Sequence, residues 1–201
     1  IPSVEIAAQC AHALSRIRYL VSYSNSYSHV QYMTGLRQLC FYSSEDHLLA
    51  PNLLLQLQRQ CCAGLEGVIV GSGSSITSQQ LCELLAVCPQ LHTFLIDNLT
   101  CNSNSNTVLL ELARSCPNLQ KVTLCSSEVT EEGVLALAAH CKQLRVIDIG
   151  RTPLTQETVR QLTQHWRRLT ELHVRVYVKE GEVMAPQSRK YNSTEIRAMR
   201  L

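Results

Sequence analysis

Ten cysteines and seven histidines are the residues in this chain with the chemistry of nucleophiles, general bases or metal ligands. Their spacing decides which of these roles is open. A zinc centre draws ligands from short fixed intervals, such as two cysteines two residues apart. Here Cys61 and Cys62 are adjacent, Cys82 and Cys88 stand six apart, and no CxxC pair occurs. HExxH, GxSxG and phosphate-loop motifs are also missing. The run GSGSS at 71–75 is glycine-rich, but no Gly-Lys-Ser/Thr completes it, so it reads as a strand-to-helix turn. The histidines, at 12, 29, 47, 92, 140, 165 and 173, are scattered. A catalytic Cys–His pair stays open, because such partners meet in space and not in sequence.

Cys62, Cys88, Cys116 and Cys141 are different, because each opens the same kind of segment. CAGLEGVIV, CPQLHTFLI, CPNLQKVTL and CKQLRVIDI are followed by WRRLTELHV, where Trp166 takes the cysteine's place. The segments start 26, 28, 25 and 25 residues apart. Each puts apolar residues three, six and eight places after its first residue: Leu65, Val68, Val70; Leu91, Phe94, Ile96; Leu119, Val122, Leu124; Leu144, Ile147, Ile149; Leu169, Leu172, Val174. The last two of each set alternate as a short strand does. Seven and four residues before each start stand Leu81 and Leu84, Leu109 and Leu112, Val134 and Leu137, Val159 and Leu162, one side of a helix. Thr77, Thr130 and Thr155 precede three of these helices, and Gln80 completes a capping box with Thr77.

Upstream the pattern weakens. MTGLRQLCF supplies Leu36, Leu39 and Phe41. AHALSRIRY supplies Leu14, Ile17 and Tyr19, with a register through Leu20 as the alternative. PNLLLQLQRQCC at 51–62 and EIAAQCAH at 5–12 read as helices, and the Ser/Tyr-rich residues 22–32 as an irregular connection. The count is seven repeats, five regular and two degenerate. One strand plus one helix cannot bury its own apolar face, so such units stack. A cysteine in a slot that also accepts tryptophan is a packing residue, so the cysteines are expected buried and reduced, which points to an intracellular protein. His140 and His165 share an equivalent slot and are expected to face solvent.

The spacing L-x-x-L-x-L with Cys or Trp at the start resembles the leucine-rich repeat, and more narrowly its cysteine-containing subfamily, found in substrate-binding domains of F-box proteins in ubiquitin ligases. The resemblance covers residues 62–174 strongly and 11–61 weakly. It implies a right-handed α/β solenoid of about seven repeats, with a concave parallel sheet and convex helices. It departs from the family where the slot eight residues after the first Leu holds Gly73, Leu99, Ser127 and Thr152. No F-box motif lies within the 201 residues.

Composition bounds the rest. Apolar residues make up 45% and charged residues 17%, with a formal net charge of +2, which gives no signal for nucleic acid or an acidic membrane surface. No apolar run reaches the ~20 residues of a membrane helix. The opening IPSVEIAAQ lacks a start Met and is expected to belong to a fragment or processed product. Asn98-Leu-Thr100 and Asn192-Ser-Thr194 match the glycosylation pattern, as two matches in a Ser/Asn-rich chain do by accident.

We divide the chain into a repeat domain at 1–176 (degenerate at 1–61, regular at 62–176) and a C-terminal cap or tail at 177–201. Ser193 or Thr194 is the expected N-cap of a short helix there. Val183, Met184, Ile196 and Met199 are positioned to fold back over the last core layer, the alternative being a free basic tail. Residues between the core positions of each strand point off the sheet, on the concave side. The sharpest outward column reads Arg18, Cys40, Ile69, Leu95, Thr123, Asp148, His173, and the next reads Leu20, Tyr42, Gly71, Asp97, Cys125, Gly150, Arg175. The expected partner-binding face is therefore Cys40, Tyr42, Ile69 and Leu95, grading into Lys121, Arg145, Asp148, His173 and Arg175. An apolar anchor beside a charged area is how protein interfaces are built. The expected function is a non-catalytic protein–protein interaction module without cofactor or metal: the substrate-recognition domain of an F-box-type receptor, or a structural subunit of a large assembly. An enzyme is the third alternative.

Overall fold

A computed structural model describes residues 11–22, 30–42, 62–71, 76–96, 105–124, 129–180 and 183–200. Among these, eight strands form one sheet in sequential order. They are β1 (Tyr19–Ser22), β2 (Gln38–Phe41), β3 (Gly67–Val70), β4 (Thr93–Ile96), β5 (Lys121–Leu124), β6 (Val146–Leu154), β7 (Glu171–Glu180) and β8 (Val183–Tyr191). The first seven run parallel, and β8 returns antiparallel on β7. Six helices are described: α1 (Ala11–Leu14), α2 (Ser78–Leu85), α3 (Ser105–Ser115), α4 (Glu131–His140), α5 (Gln156–His165) and α6 (Ser193–Ala198). The helix expected over 51–62 lies outside the described residues except for Cys62, as do residues 5–10 of the one before α1.

The repeat spacing is met in the core. All fifteen strand and corner residues expected from the five regular segments are buried, and so are the eight helix residues between them. The corner geometry shows why. Leu65, Leu91, Leu119 and Leu169 each donate their backbone N–H to the carbonyl three residues back, at Cys62, Cys88, Cys116 and Trp166. That turn swings the chain from helix into strand and drops the leucine inward. One carbonyl then accepts two N–H groups from the next repeat: Glu66 from His92 and Thr93, His92 from Gln120 and Lys121, Gln120 from Arg145 and Val146, Arg145 from Thr170 and Glu171. The parallel ladder thus starts before each strand does.

The cysteine slot behaves as a packing position with a weak donor. Cys116 Sγ reaches the Cys88 carbonyl at 3.6 Å and Cys141 Sγ the Cys116 carbonyl at 3.4 Å, while Cys88 Sγ bonds to Leu84 O at 3.1 Å. Cys62, Cys88, Cys116 and Cys141 are all fully buried and free. Burial pushes the Cys116 and Cys141 thiols up to about 12. A side-chain hydrogen bond with Cys62, together with burial, pushes Cys88 up as well.

Capping is only partly as expected. Thr77 and Gln80 form a reciprocal box at α2, and Thr155 caps α5 by accepting from Thr158 N–H at 3.1 Å. Thr130 occupies the N-cap of α4 but makes no cap bond; its hydroxyl donates to Asn106 Oδ1 on α3 at 3.0 Å. The N-cap of α6 is Asn192, not Ser193 or Thr194: its Oδ1 accepts from both Thr194 and Glu195 N–H, which its longer amide reaches.

The C-terminal segment folds back. β8 pairs with β7 from Leu172↔Tyr191 to Glu180↔Val183, and β7 itself runs across the 176/177 division. Ile196 is buried and Met199 packs against the core from α6. No helix among the described residues is long and apolar enough to cross a membrane.

Candidate functional site

Strand alternation sends one set of side chains into the core and the other to the opposite face of the sheet. The pairing register aligns that outer set across seven strands: Val21, Cys40, Ile69, Leu95, Thr123, Asp148, His173. The first member is Val21 and not the expected Arg18. Leu20, not Tyr19, lies opposite Leu39, so the register through Leu20 holds in β1. Tyr19 is consequently 68% exposed and Val21 51% exposed. Arg18 Nη1 instead bonds the carbonyls of Ser15 and Gly35, each at 3.1 Å.

The apolar residues come together as expected. Cys40, Ile69 and Leu95 sit side by side on β2, β3 and β4, each half-buried. Tyr42 follows β2 and lays its ring over Gly71, where an added Cβ would stand 2.1 Å from the ring. Only glycine leaves room for that stacking. Tyr19 and Val21 extend the patch to the β1 end. Burial raises the Cys40 thiol, which keeps it a neutral contact residue and not a thiolate. Asp97 and Cys125 lie outside the described residues.

The polar end is less uniform. Lys121 is exposed on β5, whereas Thr123 is 7% exposed and closes the apolar patch. Asp148 Oδ1 is 2.9 Å from His173 Nδ1, and His173 Nε2 is 2.8 Å from Ser188 Oγ on β8. Lys190, directly opposite His173, reaches Glu171 at 3.5 Å. Arg145 departs from expectation: it precedes β6 and lines a separate basic pocket. Arg175 is placed by backbone pairing to Pro153 and Ser188, and its side chain lies outside the description. A bulge between Ile149 and Pro153 takes Gly150 out of its expected place beside Arg175.

Sequence reasoning missed Ser188 and Lys190 on this face. Both arrive on β8, which lies outside the repeat and left no periodic signal. His140 and His165 are exposed, each with Nδ1 2.9 Å from the carbonyl four residues back on its own helix. Among the described residues no three His, Cys, Asp or Glu gather as a metal site. The chain matches no protein-family model and no curated protein.

Proposed function

We propose that the chain is a leucine-rich-repeat solenoid whose outer, concave sheet face binds a protein partner. The observation that supports this best is the contiguous row Val21, Cys40, Ile69, Leu95, apolar and away from the core, beside the charged residues of β5–β8. Its side chains do not carry the fold, so they are free to serve recognition, and a contiguous apolar centre with a polar rim suits a protein surface. The cysteine-type repeat favours the finer reading of a substrate-recognition domain in an F-box-type ubiquitin ligase receptor. Replacing Ile69 and Leu95 together by Glu tests the face: capture of the partner by the full-length protein should be nearly lost with folding intact. Gln164→Glu, on the exposed side of α5, should change nothing. Normal capture by the double variant overturns the reading.

One observation favours a second reading. In the tautomer that donates Nδ1–H to Asp148, His173 Nε2 accepts from the Ser188 hydroxyl, the carboxylate–imidazole–hydroxyl order of a serine nucleophile. Labelling by a fluorophosphonate probe that disappears in Ser188→Ala would establish it. Absence of labelling would exclude it.

A further inference from the structure

Five guanidinium groups converge where the beginnings of β6 and β7 meet α6. Arg145, Arg167, Arg168, Arg197 and Arg200, with Thr170, line an open pocket of about 330 Å³. They come from three pieces of chain: the corner before β6, the corner after α5, and the C-terminal helix with the residues just after it. No acidic side chain lines the pocket. Among the described residues none of the five arginines is in an ion pair, while Arg37, Arg114, Arg160 and Arg189 all are.

Two of the five are held in place. Arg200 donates through Nε to the Thr163 carbonyl at 2.7 Å and through Nη2 to the Trp166 carbonyl at 2.5 Å. Arg168 donates through Nη1 to Gln143 Oε1. The Arg145 backbone is fixed through its carbonyl, which accepts from Thr170 and Glu171 N–H at 2.8 and 3.0 Å. Burial, together with the charges of Arg197 and Arg167, lowers Arg200 from the ordinary guanidinium value. Like charges gathered without a counter-charge destabilise one another, and an entering anion relieves that repulsion. Planar guanidinium forks suit the oxygens of a phosphate, two at a time.

We propose that this pocket is a phosphomonoester site that receives a phosphorylated side chain of the protein partner. The inference rests on the reading of the outer sheet face as the partner surface. Arg145 stands three residues before Asp148, about 10 Å along extended chain, so the pocket lies at the end of the strands that carry the charged part of the face. Five of the 18 Lys and Arg residues gather in one pocket of a chain with a net charge of +2. Nucleic acid instead selects a stripe of positive charge that follows its backbone.

The test uses a Gly/Ala peptide with one phosphoserine, its unphosphorylated twin, a phosphoinositide-containing vesicle and a single-stranded RNA oligonucleotide, each titrated into the full chain. The phosphoserine peptide should bind and its twin should not. Arg145→Gln with Arg197→Gln should weaken it by about a hundredfold, at about tenfold per charge-assisted contact. Both positions are exposed and their side chains hold no structural bond among the described residues, and an unchanged melting curve checks the fold. Arg114→Gln on α3 should leave binding as it was. Binding of the twin equal to that of the phosphopeptide, indifference to the double substitution, no binding at all, or binding of vesicle or RNA alone would each overturn the proposal. The peptide carries no side chain for the apolar patch, so it reads the pocket by itself, whereas the Ile69/Leu95 substitution reads the face.

Discussion

Asp148 and His173 lie directly opposite one another on β6 and β7, with Oδ1 and Nδ1 2.9 Å apart. Each side chain is about one-third exposed, so solvent screens the pair. A double-mutant cycle with Asp148→Asn and His173→Gln, followed by urea denaturation, should give a coupling of about 0.2–1 kcal/mol. A coupling above ~2 kcal/mol would mean that the pair is a structural clasp and not a surface contact.

Leu119 and Leu144 occupy the same core position in successive repeats, and both are fully buried. Truncation of either to Ala should cost about 2–5 kcal/mol in the same denaturation assay, from lost transfer energy plus the cavity left behind. A loss below ~0.5 kcal/mol at both sites would contradict the observed register.

The buried thiols make stability depend on alkaline pH. Cys116 and Cys141 stay protonated in the folded chain up to about 12, while unfolded cysteine loses its proton near ~8.5. Above that value the unfolded state binds fewer protons than the folded one, so stability falls as pH rises. The contribution is fully present below the unfolded value and is lost on the way up to about 12. Unfolding free energies at pH 8 and pH 10 should therefore differ, and the Cys116→Ala/Cys141→Ala variant should show a smaller difference. Native thiol titration near neutral pH should label Cys88, Cys116 and Cys141 slowly.

Gly133 sits in α4 against Asn106 of α3. A Cβ built at Gly133 would stand 2.1 Å from Asn106 Oδ1, and that oxygen is already tied to Thr130. In a free helix Gly→Ala gains about 1 kcal/mol. Here Gly133→Ala should destabilise, because the amide must abandon its bond. In the Asn106→Ala background the same change should become stabilising by about 0.5–1 kcal/mol. A stabilising effect in both backgrounds would show that the close approach imposes no constraint.

Local periodicity determined what repeats. A strand must put alternate residues inward, and a helix must stripe one side. The spacing around Leu91, Leu119 and Leu144 therefore marks core, corners and outer row by itself. Thr77 with Gln80 was legible for the same reason, since a capping box closes within one turn. The tertiary structure decided everything that needs two elements to meet without a shared period. It set β1 through Leu20, because the strand could choose its register only against Leu39. It tied the Thr130 hydroxyl to Asn106 on the neighbouring helix and left α4 without a side-chain cap. It brought Ser188 to His173 and gathered Arg145, Arg167, Arg168, Arg197 and Arg200 around one pocket. Those encounters depend on the antiparallel return of β8 and the docking of α6, and burial of Ile196 and Tyr191 drives them at long range, leaving no periodic trace in the chain.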